Sequence, residues 1–192
     1  MTPRMVAALY VDRLGPYPKM QNVDCWDESR NAKLYDGPYP VVAHPPCGPW
    51  SKLRHLCTKQ DASCGPRAVE QVNKFGGVLE HPAHSLLWRE CWLPAPDSDD
   101  MGLAFARRFT LSVNQVSWGH SCAKPTWLYC VGISWRVLVD GIRTGGIATH
   151  CVCTGPRQRQ RLPVATKKAK RLTPPAFAEW LVSLARASEV SP

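Results

Sequence analysis

Short apolar runs, each ended by proline or glycine, alternate with one-sided helical patterns along this chain. Met5 to Val11 (MVAALYV) and Val41 to Ala43 are almost wholly apolar, as is typical of strands buried on both faces. Val78 to Glu80, Leu111 to Trp118 and Thr126 to Gly132 predict three more strands, because branched and aromatic residues are frequent in them.

Two segments between and after these strands have helical periodicity. Pro66 to Phe75 begins with proline, keeps its apolar residues on one face and stops at Gly76. Near the end of the chain, Thr173 can cap a helix that Pro174 starts. Its apolar stripe consists of Phe177, Trp180, Leu181 and Leu184. Strands alternating with helices predict an α/β fold, namely a Rossmann-like, mostly parallel sheet with flanking helices.

The length of the chain favours one compact domain. Its 192 residues, 44% of them hydrophobic, can bury one sizeable core. We predict an α/β catalytic-like domain over residues 1–156 and a basic segment over 157–172. The helix within 173–192 is expected to pack back on the domain.

The charge of the chain favours a polyanionic partner. The formal net charge is +9 and the sequence pI is about 9.3. Cations are dense from Arg157 to Arg171 (RQRQRLPVATKKAKR), which indicates either a solvated linker or a segment that contacts nucleic-acid phosphates. The candidate phosphate contacts are Arg157, Arg159, Arg161, Lys167, Lys168 and Lys170.

The lengths of the apolar runs and the number of cysteines indicate where in the cell the protein is expected. No apolar run approaches the roughly 20 residues that cross a bilayer, and the amino-terminal residues do not resemble a signal peptide. We therefore expect no membrane association and a cytoplasmic location. Nine cysteines, an odd number without a secretion signal, favour free thiols or a metal site over a disulfide framework.

Three polar clusters follow or join predicted strands: His44 to Cys47 (HPPC), Glu80 to Pro82 (EHP), and Gly119 to Thr126 (GHSCAKPT). Ligands of open α/β sheets bind outside the carboxyl ends of the strands. Two prolines stiffen the turn before Cys47, so its thiol is a candidate nucleophile if cations such as Lys52 and Arg54 lower its pKa. The alternative is a buried small hydrophobic residue.

The motifs AHPPCGPWS, VLEHP and WGHSCAKPTWLYCVG occur in an order that resembles the cytosine-5 DNA methyltransferase superfamily, especially short, divergent methylase-like proteins of bacteriophages. The resemblance runs from Val41 onward. It implies that Cys47 attacks carbon 6 of cytosine and that Glu80 contacts the ring nitrogen and exocyclic amine, with His81 replacing the family's asparagine. Lys124 takes the place of a cation that contacts base or phosphate, and His120 or Lys124 would bind the carbonyl.

The resemblance implies a methyltransferase-like transferase that modifies pyrimidine bases of phage DNA in the host cytoplasm, acting on DNA or a pyrimidine nucleotide. A flipped base needs stacking and polar partners. The candidates in or beside the motifs are Pro46, Trp50, Ser51, His81, Trp118 and Thr126, with Trp88 as a further stacking candidate. For the tryptophans, core packing is the alternative role.

The front of the chain departs from the family pattern. The family binds S-adenosylmethionine through a glycine-rich turn after the first strand, whereas this chain has DRLGPYP with one glycine. Asp12 and Asp27 are the candidate cofactor contacts. The region is short, so a protein partner or a second copy in a homodimer would have to supply missing elements.

Two other classes of function remain open on the sequence. One is a zinc-binding, hydrolase-type nucleotide enzyme whose ligands come from His44, Cys47, His81 and His120, with Cys57, Cys64 or His150, Cys151 and Cys153 as further donors. The chain has neither a paired Cys-x-x-Cys motif nor the zinc deaminase signature. The other is a non-catalytic nucleic-acid-binding relative.

Overall fold

The computed structural model describes residues 3–52, 54–57, 60–96, 107–152 and 162–189. Its strands are β1 (Val6–Leu9), β2 (Val23–Trp26), β3 (Val41–Ala43), β4 (Gly77–Pro82), β5 (Arg108–Asn114) and β6 (Pro125–Val131). Its α-helices are α1 (Cys64–Phe75), α2 (Leu86–Glu90), α3 (Trp135–Val139), α4 (Lys167–Arg171) and α5 (Pro175–Arg186). Short 3₁₀ segments include Tyr17–Lys19, Gly48–Trp50, Arg54–Leu56 and Gln115–Trp118.

The six strands form one mixed sheet in the order β2-β1-β3-β4-β6-β5. β1 pairs in parallel with β2 and β3, and β3 pairs in parallel with β4. β6 is antiparallel to both of its neighbours, β4 and β5. The predicted α/β class with a mostly parallel sheet is confirmed.

Both faces of the sheet are covered, which explains why β1 and β3 have no polar residues. Val6, Ala8 and Val42 belong to the core cluster that α5 completes. Ala7, Leu9, Val41 and Ala43 belong to the cluster on the other face, where α1 packs. Because successive strand residues point to opposite faces, each must be apolar when both faces are buried.

The boundaries of several elements differ from the sequence prediction. The expected strand Leu111 to Trp118 ends at Asn114, whose Oδ1 accepts hydrogen bonds from the backbone N–H groups of Val116 and Lys124. These bonds turn the chain into a 3₁₀ segment. α5 starts at Pro175 without a side-chain cap, so Thr173 does not cap it. Helix α4 was not predicted, and Thr166 caps it by accepting from the Ala169 N–H.

The register of β3 and β4 determines the geometry of the candidate site. Val41 pairs with Gly77 and Ala43 with Leu79, so His44 and Glu80, the next residues on each strand, lie side by side. Gly77 has φ +111°, and a Cβ there would lie 2.0 Å from the Val41 carbonyl oxygen. Only glycine combines this backbone conformation with so close an approach.

Helix α5 packs on the sheet and contacts β1, β3 and β4. Part of the basic segment, including Arg157, Arg159 and Arg161, lies outside the described residues. In the described part of the chain, no helix is long and apolar enough to cross a membrane.

Candidate active site

Glu80 is the centre of a buried polar network at the carboxyl edge of the sheet. The residue is 7% exposed, and each of its carboxylate oxygens accepts a hydrogen bond. His44 Nδ1 lies 2.9 Å from Oε2, and Gln115 Nε2 donates to Oε1 at 2.8 Å. Although burial raises the pKa of Glu80, the His44 hydrogen bond and the Lys124 charge outweigh it and lower the pKa to about 2. Glu80 is therefore a carboxylate at neutral pH.

His44 joins Glu80 to the connection between β1 and β2. Its Nε2 lies 2.5 Å from the hydroxyl oxygen of Tyr17, which is 2% exposed. Burial raises the pKa of Tyr17 well above its usual value, so the phenol is neutral. The sequence offered His44 only as a zinc ligand and did not indicate Tyr17, because nothing local predicts that a residue 27 positions away reaches the same imidazole.

Gln115 was also missed by the sequence analysis. It is fully buried, and besides Glu80 its Nε2 donates to Thr126 Oγ1 at 3.0 Å. Thr126, a predicted base contact, is fully buried and donates to the Lys124 carbonyl at 3.0 Å. Thr126 therefore connects Gln115 to the backbone of Lys124 within the network. The sequence signal that could have indicated Gln115 was its position near the end of the predicted strand Leu111 to Trp118, shortly before the GHSCAKPT loop.

Cys47 lies on a rigid turn that follows β3. The turn continues into the 3₁₀ segment Gly48–Trp50, where the Gly48 N–H donates to Gln60 Oε1 at 2.9 Å. Ser51 Oγ donates to the Gly48 carbonyl at 3.0 Å. Cys47 itself is exposed, and Pro46 beside it is half-buried. Cys47 is thus a surface residue whose thiol is partly desolvated by surrounding protein, not a fully buried hydrophobic side chain.

The electrostatic environment of Cys47 differs from the sequence expectation. Desolvation of the thiol by surrounding protein and the Glu80 carboxylate raise its pKa, while Lys124 and Arg171 act in the opposite direction without prevailing. The influential cations are thus Lys124 and Arg171, not Lys52 and Arg54. At neutral pH the group is a thiol that must lose its proton as it attacks.

The loop before β6 brings Lys124 and His120 to the same edge, because Thr126 of β6 pairs with Pro82 of β4. His120 is 3% exposed, and its Nδ1 accepts from the Cys122 N–H at 2.9 Å. Burial lowers the pKa of His120, opposed in part by the backbone of Ala169 on α4. Helix α4, with Lys167, Lys168 and Lys170, therefore borders this loop.

His81 follows Glu80 but points into the protein and is 1% exposed. Within the described residues, neither ring nitrogen has a hydrogen-bond partner that meets ordinary geometry. Burial lowers its pKa to about 4 against the raising effect of Glu80, so the imidazole is neutral. The His81 ring lies close to the turn that carries Cys47, because the backbone of Pro46 influences its pKa.

The three tryptophans predicted as stacking partners pack against protein. Trp88 is 5% exposed, and its indole N–H donates to Thr110 Oγ1 at 2.9 Å. Trp118 is 4% exposed, stacks on Trp180 with ring centroids 4.7 Å apart, and contacts Phe177 at its edge. Trp118 therefore has the core-packing role that was the alternative for the tryptophans. Trp50 is half-buried, and its indole nitrogen lies against Gly65 at the start of α1.

A cleft of about 680 Å³ lies at the carboxyl ends of β1 and β2 and includes both predicted cofactor contacts. Its lining residues are Val11, Asp12, Arg13, Leu14, Asp27, Glu28 and Ser29. Arg13 Nε and Asp27 Oδ2 form an ion pair at 3.0 Å. A hydrogen bond from the Ser29 hydroxyl is the main cause that lowers the pKa of Asp27. Three carboxylates against one guanidinium leave the cleft negatively charged.

The zinc alternative receives no geometric support from the described residues. Among them, no group of three or more His, Cys, Asp or Glu side chains is arranged to hold a metal ion. The predicted ligands His44, His81 and His120 are buried or nearly so, and His44 is engaged by Glu80 and Tyr17. Cys153, a further predicted donor, lies outside the described residues.

Comparison with models of known protein families, with curated proteins and with solved structures finds no match for this chain.

Proposed function

We propose that this protein modifies a pyrimidine base in DNA through a covalent step in which Cys47 adds to carbon 6 of the ring. The observation that supports this most is the pairing of an exposed thiol on a Pro-Pro turn with a buried, ionised carboxylate at the end of the adjacent strand. Glu80 and Lys124 both influence the pKa of Cys47, so all three groups lie within electrostatic range of one another.

The chemistry assigns a separate task to each group. The Cys47 sulfur forms a bond to carbon 6 as the carbon 5–carbon 6 double bond opens. The thiol proton passes through solvent to N3 of cytosine, so that the adduct is neutral overall and carbon 5 becomes nucleophilic. Glu80, as a carboxylate, stabilises the positive charge on the protonated ring. Lys124 favours the thiolate and can donate to a carbonyl oxygen of the base.

The strand order is consistent with a Rossmann-like doubly wound sheet. In the sheet, β2 lies on one side of β1, whereas β3 and then β4 lie on the other side. The strand order therefore reverses direction between β1 and β3, which is the topological switch point where such sheets bind ligands. Cys47 follows β3 directly, and the cleft opens after β1 and β2. Substrate and cofactor would then occupy neighbouring positions along one edge of the sheet.

The charge of the cleft favours a ligand that carries a positive charge. S-adenosylmethionine has a sulfonium ion and ribose hydroxyls, which suit carboxylate partners. Asp12 and Glu28 are the carboxylates for a direct contact, because Asp27 is already bound by Arg13, Ser29 and the Arg30 N–H. If methyl transfer is the reaction, the methyl donor binds here.

The experiment uses the full chain and DNA oligonucleotides that carry 5-azacytosine, whose ring accepts a thiol readily, or 5-fluorocytosine, which traps the enzyme after methyl transfer. Intact-mass spectrometry detects the protein–DNA adduct. We expect an adduct with 5-azacytosine that disappears in Cys47→Ala and persists in the matched control Cys64→Ala.

Added S-adenosylmethionine separates the cofactor question from the thiol question. An adduct with 5-fluorocytosine that requires this cofactor would establish methyl transfer, whereas an adduct only with 5-azacytosine would support thiol addition with another group transferred. No adduct in either case, together with one equivalent of zinc by elemental analysis, would replace this proposal with the metal-site alternative.

A further inference from the structure

His44 occupies a position from which one imidazole contacts two other elements. It follows β3, its Nδ1 reaches Glu80 at the end of β4, and its Nε2 reaches Tyr17 in the connection after β1. The His44 side chain is 12% exposed and that of Glu80 is 9% exposed. A contact so shielded from water is stronger than the same contact at the surface.

The chemistry of the partners determines where the His44 proton lies. An ionised Glu80 only accepts hydrogen bonds, so Nδ1 must carry the proton. The neutral Tyr17 hydroxyl can donate to Nε2 of a neutral imidazole or accept from the Nε2–H of a charged one. In both cases the Nδ1–H of His44 donates to Glu80, so Tyr17, His44 and Glu80 form one continuous hydrogen-bonded chain.

We propose that His44 is a positioning residue, which holds the Glu80 carboxylate charged and correctly oriented for a pyrimidine ring. The inference rests on the proposed function of the site. Without His44, Gln115 would be the sole hydrogen-bond donor of the described network to Glu80, and one oxygen would lose its partner. The carboxylate would then rotate or take up a proton, and the positive charge on the ring would lose its counter-charge.

Other ionisable groups act on the same carboxylate and must be held constant in a test. Lys124 lowers the pKa of Glu80, as does His81 on the same strand. Cys47 lies on the same loop as His44 and interacts with Glu80. The variants therefore change only His44 and Tyr17.

The first measurement follows the ionisation of Glu80 by carbon-detected NMR of its side-chain carboxyl between pH 7 and pH 3. In His44→Ala we expect the ratio of protonated to ionised Glu80 to rise about tenfold at a given pH, as for loss of a hydrogen bond to a charged group. His44→Asn should restore most of the effect, because an asparagine amide can donate from near the Nδ1 position. Tyr17→Phe should have a smaller effect. An unchanged titration in His44→Ala would overturn the proposal.

The second measurement is the rate of adduct formation at saturating DNA carrying 5-azacytosine, together with DNA affinity. His44→Ala should slow the step at least tenfold with little change in affinity, and His44→Asn should recover it. Equal loss in both variants, tracking a lower melting temperature, would indicate a structural role and contradict the proposal. If the native protein forms no adduct, the proposed function fails, and the Glu80 titration alone decides whether His44 holds the carboxylate.

Discussion

At the scale of single residues, Glu80 has opposite effects on the two partners of the proposed reaction. Its negative charge would stabilise a protonated pyrimidine, but desolvation together with that same charge raises the pKa of Cys47. In the proposed reaction, the thiol would stay protonated until a base binds and protonation of its N3 offsets the carboxylate charge. An exposed cysteine held in this way is protected from reagents that react with thiolates.

This opposition predicts that one substitution changes two reactions in opposite directions. Glu80→Gln removes the charge but keeps the shape. Because that charge raises the pKa of Cys47, iodoacetamide should alkylate Cys47 roughly threefold faster near pH 7.5, where the thiolate fraction is larger. The same variant should form the 5-azacytosine adduct more slowly. Mass spectrometry of the modified peptide measures both rates.

Lys124→Gln is the matched control for charge at this site. Because Lys124 favours the thiolate, its loss should slow alkylation and adduct formation together. Slower alkylation in Glu80→Gln would show that the carboxylate does not control the thiol, and the account of the Cys47 environment would be wrong.

At the scale of elements, helix α4 places ordered cations beside the candidate site. Its five residues, KKAKR, include four cations, and none of them belongs to the ion pairs formed among the described residues. Arg171 influences Cys47, and the backbone of Ala169 influences His120. A DNA backbone bound along α4 would therefore pass close to the thiol.

We expect Lys167, Lys168 and Lys170 to contribute a salt-dependent part of DNA affinity. If each neutralises a phosphate, replacing all three with glutamine should reduce the slope of log affinity against log salt by roughly 3 for duplex DNA, at about 0.9 per phosphate. Fluorescence anisotropy over a salt series measures the slope. The control is Lys33→Gln with Lys74→Gln, since both lysines already pair with aspartates. Equal slopes in both variants would exclude α4 from the interface.

At the scale of the whole molecule, the buried imidazole of His81 links fold stability to pH. The folded protein holds this side chain with a pKa of about 4, compared with 6.5 in an unfolded chain. As pH falls from 6.5 to 4, the unfolded chain takes up a proton that the folded protein does not. Protonation therefore favours unfolding, and the stability that His81 contributes above pH 6.5 is lost across this window.

The expected size of this effect is about 3 kcal/mol in the free energy of unfolding, with the shift taken from pKa 6.5 to about 4. Urea denaturation of the native protein and His81→Asn at pH 7 and at pH 4.5 should show that the stability difference between them changes across this range. The exposed His55, replaced by asparagine, is the control and should leave the pH dependence unchanged. If the difference in the free energy of unfolding between the native protein and His81→Asn is the same at pH 7 and at pH 4.5, the prediction is contradicted.

The sequence by itself determined the architecture, because a strand buried on both faces must consist almost wholly of apolar residues. The apolar residues of β1 and β3 and the stripes of α1 and α5 required a sheet covered on two sides. Proline or glycine marked where β3, β4 and β6 stopped. Cys47 and Glu80 could be chosen as candidates for the same reason, since polar residues that follow apolar strands must lie at the edge of the sheet.

Only the tertiary structure decided which of these side chains meet. Tyr17, His44, Glu80 and Gln115 are far apart in sequence, and their contacts depend on strand order and on the register in which Gly77 pairs with Val41. The same dependence explains why Trp118, beside a motif in sequence, lies in the core against α5. Local pattern records whether a residue is buried, whereas the partner of a buried polar group is set by elements that approach from elsewhere in the chain.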